Sequence, residues 1–312
     1  MGSQTEMKVP VIDLTKENLK PGTDSWISAC KQVRYAFEEY GCVEVVYDKV
    51  SMELGSSMFA VVDDLFNLPI ETKMQNTSDR PYHSYFGRYS FIPLYESLGI
   101  DNPTTLEGAQ HFTNIMWPQG NDHFRETVQT YSKLVAEING TVTRMLFDSY
   151  GVERLCESHM EWNSYLLRCF RYRTRRPDEP DLGLWSHTDR TFISTLHQNQ
   201  ISGLQIKTKD GQWIDVEPSG SSFLVLAGDV LMAWSNDRIP SCDHRVIMKE
   251  NKIRYSLGLF SFNNGLIKVP EELVDDQFPL RYKPFNNFDY LRFTQAEESK
   301  KYGCAIKAYC GV

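Results

Sequence analysis

The second half of the chain limits the possible folds most. From Asn163 onward, short runs of alternating apolar and polar residues recur between turn residues. Successive side chains of an extended strand point to opposite faces, so each run can bury one side and wet the other. A regularly punctuated series of such runs closes into a sandwich or barrel. Leu204–Lys207 and Trp213–Val216 flank Asp210-Gly211, a pair favoured in two-residue hairpin turns. Phe223–Ala227, Val230–Trp234, Arg245–Met248 and Tyr255–Phe262 extend the series as further strands. The expected fold is mainly β with flanking helices: a double-stranded β-helix (jelly-roll) core, a helical N-terminal region and a C-terminal helix.

The first half has a different period. Apolar residues at Trp26, Ile27, Ala29, Val33, Ala36 and Phe37 form a helical stripe over Asp24–Tyr40, and Gly41 supplies the stop. Ser51–Leu68 reads as a second helix ending before Pro69. Asp122–Ser149 reads as a third, with Val128, Tyr131, Leu134, Ile138, Val142 and Leu146 at steps of three and four. Val9–Leu14 and Cys42–Tyr47 read as short strands. Residues 77–117, rich in aromatics, glycine and proline, read as a long loop of the kind that covers a site. The tail from Asp289 to Tyr309 returns to helix. The expected organisation is a helix-rich region over 1–150 packing on a core over 151–285, with a C-terminal helix over 286–312, all in one compact unit.

Charge narrows the partners. With 41 acidic against 33 basic side chains the net charge is −8, which repels nucleic acid and anionic membranes at long range but leaves a small acidic ligand possible. Seven scattered cysteines with no CxxC pair argue against a disulfide framework or a thiolate zinc site. Neither a leader at the N-terminus nor a membrane-spanning apolar run is read. The expectation is a monomer in the cytoplasm, with free thiols.

Two small constellations carry chemistry. In His187-Thr188-Asp189 the outer side chains point the same way on an extended segment, and His244 follows on a later strand. Two imidazoles and one carboxylate on one face of a metal, with the opposite positions open, suit Fe(II) and oxygen chemistry. An HxD alone also arises as a turn hydrogen bond, and a lone barrel histidine is commonly just satisfied in place. Arg254-Tyr255-Ser256 is the second constellation. Arg254 and Ser256 share a strand face, where a guanidinium fork and a hydroxyl can grip a carboxylate. An exposed strand arginine is the plainer reading of the same triplet.

Order and spacing go further. HTD, then GLQIKTKDGQWIDVEP, then GDVLMAWSNDRIPSCDHRV, then RYSLGLFSF resembles the ordered blocks of plant 2-oxoglutarate- and Fe(II)-dependent dioxygenases, with similarity from Val9 to the C-terminus. The resemblance implies that His187, Asp189 and His244 are the catalytic iron ligands. It implies that Arg254 and Ser256 hold the distal carboxylate of 2-oxoglutarate. Asn163-Ser164-Tyr165 resembles the family's NxY, whose tyrosine reaches the same carboxylate and whose asparagine assists near the iron. Leu166-Leu167-Arg168 departs from the prolines that usually follow, and a shift of one residue would turn Tyr165 away.

Phe37–Cys42, Arg80–Tyr85, Leu196–Gln200 and the terminal Ala308–Val312 resemble the branch containing glucosinolate side-chain oxygenases and steroidal-alkaloid hydroxylases, with an auxin-oxidising relative nearby. The resemblance implies hydroxylation of a small specialised metabolite of alkaloid, steroidal or glucosinolate type. O₂ and 2-oxoglutarate are consumed, succinate and CO₂ are co-products, and ascorbate is supportive. Desaturation, ring closure or dealkylation, oxidation of a hormone such as auxin, and a cupin-like binding protein are the alternatives. Tyr82, Tyr85, Phe86, Tyr89, Phe91, Trp117 and Phe262 are the candidate substrate residues, core packing being the rival reading. His83 and His111 are read as structural.

Overall fold

The computed structural model describes residues 8–312, the side chains of Glu298 and Lys300 excepted; residues 1–7, on which the leader reading partly rests, lie outside it. Among the described residues fourteen strands run in chain order. The first four come from the N-terminal half: β1 (Val11–Asp13), β2 (Cys42–Val46), β3 (Phe86–Gly87) and β4 (Tyr95–Asp101). Eight form the barrel proper: β5 (Asn163–Tyr172), β6 (Leu182–His187), β7 (Ile193–Gln198), β8 (Leu204–Lys207), β9 (Trp213–Asp215), β10 (Ser222–Ala227), β11 (His244–Ile247) and β12 (Arg254–Asn263). Two short ones, β13 (Leu266–Ile267) and β14 (Phe285–Asn286), pair near the end.

They make a large sheet of order β1-β2-β10-β7-β12-β5-β4-β3 and a small one of order β6-β11-β8-β9, the two layers of a jelly roll. The strands expected over Val9–Leu14 and Cys42–Tyr47 are β1 and β2, whereas β3 and β4 lie in the segment read as loop; the four extend both edges of the large sheet.

The helices follow the apolar stripes. Helix α1 (Asp24–Tyr40) starts where the Thr23 hydroxyl accepts the Trp26 amide and stops at Gly41, whose φ of +68° suits a residue with no Cβ. Next come α2 (Met52–Asn67), the single turn α3 (Ile70–Lys73), α4 (Leu106–Met116) and the long α5 (Asp122–Ser149). Val128, Tyr131, Val135, Ile138, Val142 and Leu146 of α5 pack on the outer face of the large sheet, against Leu167, Cys169, Leu257 and Leu259. The Trp26 indole donates to Asp148 at 2.7 Å and ties α1 to α5. Helices α6 (Cys156–Glu161), α7 (Asp229–Trp234), α8 (Asn287–Gln295) and α9 (Ala305–Cys310) complete the set.

Three local expectations change. Residues 77–117 are not all loop, since β4 and α4 occupy much of the second part. Val230–Trp234 is helix rather than strand: Gly228 and Asp229 turn the chain sharply after β10, and a fully apolar run reads alike in either state. The hairpin at Asp210-Gly211 is wider than a two-residue turn. Lys207 pairs with Trp213, and the Thr208 hydroxyl caps the intervening loop by accepting the Gln212 amide.

The packing makes β5 and β12 two-faced. Their odd-numbered residues meet the helices, whereas Leu166, Arg168, Phe170, Tyr172, Arg254, Ser256, Phe260 and Phe262 face a cavity between the sheets.

Candidate metal centre and co-substrate cavity

At one end of that cavity, His187 and His244 sit directly opposite each other on the antiparallel pair β6–β11. Strand pairing brings the two rings to 4.2 Å between centroids. Asp189 follows β6 in a turn, and one oxygen lies 3.8 Å from His187 Nε2 and 3.9 Å from His244 Nε2. A ligand atom from each of the three falls within 4.8 Å of the others.

The orientation of the rings is set from behind. His187 Nδ1 is 2.9 Å from the Trp185 carbonyl and His244 Nδ1 is 3.1 Å from the Cys242 carbonyl. With those nitrogens as donors, both Nε2 atoms are bare lone pairs aimed at a common point. Burial first, and then the facing His244, push the His187 imidazole down to about 4, so it stays neutral as a ligand must.

The turn carrying Asp189 is braced. Asp229, buried at the start of α7, accepts from Arg190, from Ser241 at 2.7 Å and from Tyr290 at 2.5 Å, and its own amide donates to the Asp189 carbonyl at 2.8 Å.

At the other end lies Arg254, 1% exposed. Its guanidinium donates to Gln198 Oε1 at 2.6 Å and to Ser256 Oγ at 3.3 Å, and stands 5.0 Å from the centre of the Tyr172 ring. Burial works against this cation, and among the described residues no carboxylate answers it. Burial also raises the Tyr172 hydroxyl well above the usual phenol range, against the pull of Arg254 beside it.

Two polar atoms here have no protein partner: Asp189 Oδ2 and Arg254 Nε. A cation at the first and a carboxylate at the second satisfy both, so the donor set fits Fe(II) and a dicarboxylic acid. The cavity holding both ends has a volume of about 600 Å³.

Some expected residues fall elsewhere. Asn163 and Tyr165 have odd positions on β5 and face away from the cavity; Asn163 accepts from Asn263 Nδ2 at 3.2 Å, and Tyr165 packs against the helix-side core. The tyrosine beside Arg254 is Tyr172, its direct cross-strand partner. The signal that points to it is parity: a residue paired with Arg254 shares its face, and only even positions of β5 do so. Gln198 and Arg168 were likewise missed.

Tyr82, Tyr85, Phe86 and Phe262 line the cavity. Trp117 does not, because it packs on Phe124 at 4.6 Å where α5 begins. Tyr89 and Phe91 do not either; 44% and 62% exposed, they run along the rim from Phe86 to Trp185. His83 shares its Nδ1 with Asp101 outside the cavity lining, and His111 is exposed.

A jelly roll with two imidazoles and a carboxylate at one end of a cavity, and an unanswered arginine at the other, is the frame of a mononuclear non-haem iron oxygenase. The chain belongs to the 2OG-Fe(II) oxygenase superfamily, whose model matches residues 162–263, and the model for the N-terminal part of non-haem dioxygenases in morphine synthesis matches residues 9–94. It is 44% identical to the probable 2-oxoglutarate-dependent dioxygenase AOP1.2 of Arabidopsis thaliana, over 97% of this chain and 95% of that protein.

Among solved structures it resembles the rice dioxygenase for auxin oxidation, with TM-score 0.83 and 28% identity over 98% of this chain and 100% of that one. It also resembles the Arabidopsis thaliana dioxygenase for auxin oxidation 1 bound to 2-oxoglutarate, with TM-score 0.79 and 27% identity over 87% of this chain and 100% of that one. The protein is therefore a 2-oxoglutarate-dependent dioxygenase that uses Fe(II), which sets aside the cupin-like binding protein.

Proposed function

We propose that His187, Asp189 and His244 hold the iron, that Arg254, Ser256, Tyr172 and Gln198 hold the far carboxylate of 2-oxoglutarate, and that the enzyme hydroxylates a small specialised metabolite in the rest of the cavity. The observation that carries this is the pair of orphaned atoms, Asp189 Oδ2 and Arg254 Nε, within one cavity.

Bound together, Fe(II) and 2-oxoglutarate supply an oxidative decarboxylation by O₂ that releases succinate and CO₂ and oxidises a nearby C–H bond. The chain's own contribution is placement. The carbonyls of Trp185 and Cys242 fix the imidazole tautomers, and Asp229 steadies the Asp189 turn. Arg254 and Ser256, both buried, orient the co-substrate by charge-assisted bonds. Leu166, Phe170, Phe260 and Phe262 give the substrate an apolar wall.

Hydroxylation, desaturation, ring closure and dealkylation differ only in where the substrate lies, so the same residues serve each. Oxidation of an auxin-like hormone is supported by likeness to the two dioxygenases for auxin oxidation. We place the enzyme in the cytoplasm as a monomer; its free cysteines suit a reducing compartment, and no helix among the described residues is long and apolar enough to cross a membrane.

The test is succinate release from 2-oxoglutarate with Fe(II) and ascorbate, followed by metabolite profiling of extracts incubated with wild type or Asp189→Ala protein. The reading predicts succinate from wild type alone, with one class of metabolite consumed. Succinate release by both proteins, or by neither, refutes it.

A further inference from the structure

The cavity wall holds a second buried arginine that the co-substrate reading leaves unused. Arg168 is 8% exposed and lines the cavity on the same face of β5 as Tyr172. Other arginines nearby have acidic partners: Arg171 binds Glu96, Arg173 binds Glu179 at 2.6 Å, and Arg190 binds Asp229. Arg168 differs. Its guanidinium donates to the Ser97 hydroxyl, a neutral acceptor, and stands 5.9 Å from the Phe170 ring centre. Among the described residues no carboxylate accepts from it. A buried cation without an anion is costly, and this one faces open volume rather than a packed core.

The strands on either side make room for it. Across the ladder Arg168 pairs with Gly99 of β4 and with Gly258 of β12. Neither place puts a side chain beside Arg168. Nor would a side chain fit: a Cβ on Gly258 would come within 2.6 Å of the Phe260 ring, and one on Gly99 within 2.3 Å of the His83 carbonyl. The result is a cation in a slot, with Leu166, Phe170 and Phe260 around it.

Arg168 is four positions from Tyr172, the partner of Arg254, which separates the two arginines by about 13 Å of strand at roughly 3.3 Å per residue. They are therefore placed for two different anions.

We propose that Arg168 binds a carboxylate of the substrate itself, so that the enzyme acts on organic acids with an apolar body. This rests on the co-substrate reading above and narrows it. Among the candidate classes it disfavours an alkaloid, whose ammonium would meet a like charge, and favours a carboxylic acid whose aliphatic or aromatic part lies along Phe260 and Phe262. Arg168 is a specificity residue in this account: it sets which molecule enters and which of its carbons faces the metal end.

The experiment uses Fe(II)- and 2-oxoglutarate-loaded protein under argon and ligand-observed NMR. The probes are arylacetic, arylpropionic and medium-chain alkyl carboxylic acids, each beside its methyl ester. Wild type is expected to bind at least one acid about tenfold or more tightly than its ester. Arg168→Gln should lose that preference, Arg168→Lys should keep part of it, and both should melt near the wild-type temperature and bind 2-oxoglutarate within about twofold of wild type.

The proposal is overturned if esters bind as well as acids, if no acid binds, or if Arg168→Gln leaves the preference intact. It is equally overturned if Arg168→Gln chiefly loses 2-oxoglutarate, since the arginine would then serve the co-substrate. Failure of wild type to bind 2-oxoglutarate would instead refute the underlying assignment, which separates the two results.

Discussion

The deep wall of the cavity and its rim are built on different principles. The wall consists of paired strands: β5, β7 and β12 present Tyr172, Gln198, Arg254 and Ser256, while β6 and β11 present the two imidazoles. Each side chain there is fixed by register and by a second contact behind it. The rim, residues 78–91, is mostly irregular, with Tyr82 and Arg88 at positive φ and Tyr82, Tyr89 and Phe91 exposed. Atoms needed for chemistry sit where pairing leaves no freedom, whereas the entrance is left to segments that can vary.

If that contrast holds, damage should grade with depth. The largest effect belongs to Asp189→Ala. It removes the only carboxylate of the metal set and should leave no succinate release above a metal-free control, with the melting temperature retained. Iron binding near wild-type strength in that variant would break the assignment. Next comes Arg254→Met, which removes the guanidinium proposed to grip 2-oxoglutarate and leaves Gln198 Oε1 without its donor. A loss on the order of 2 kcal/mol, roughly thirtyfold in Kd by calorimetry, is expected.

The third prediction compares two tyrosines on one strand. Tyr172→Phe removes a hydroxyl beside Arg254, in the proposed co-substrate site, and should weaken 2-oxoglutarate by about 1 kcal/mol, roughly fivefold. Tyr165→Phe acts on the opposite face and should leave that affinity alone. If Tyr165→Phe has the larger effect, the register of β5 described here is wrong.

The tyrosine pair also shows where sequence reading succeeds and stops. The cluster of His187, Asp189 and His244 was legible because HxD is local and its partner His244 opens an apolar strand, and the shared face of Arg254 and Ser256 because both lie on one strand. Helices Asp24–Tyr40 and Asp122–Ser149 were legible to the residue, since each has one apolar stripe and a clear stop. Tyr172 was not. Strand β5 is buried on both faces, with Leu166 and Phe170 toward the cavity and Leu167 and Cys169 toward the helices, so hydrophobic alternation does not mark which parity faces the site. Only pairing with β12 settles it. The α7 segment failed for a related reason, being apolar at nearly every position.

The smallest effect belongs to the rim. Phe91 and Trp185 touch at 5.9 Å between ring centres, yet both are exposed, at 62% and 42%. Truncating a side chain costs stability mainly through the surface it buries and the void it leaves, and an exposed ring has little of either. Phe91→Ser should therefore change folding stability by no more than about 0.5 kcal/mol. Phe170→Ala, on the buried wall, should cost about 3 kcal/mol or more. Thermal melts of the two variants make the comparison directly, with 2-oxoglutarate affinity as the second readout; Phe91→Ser should leave it unchanged. A drop of more than about 3 °C for Phe91→Ser would mean that the rim aromatics brace the barrel. A weakened 2-oxoglutarate affinity at unchanged stability would mean instead that the rim closes over the co-substrate, and the division between a fixed wall and a free entrance would have to be redrawn around Trp185.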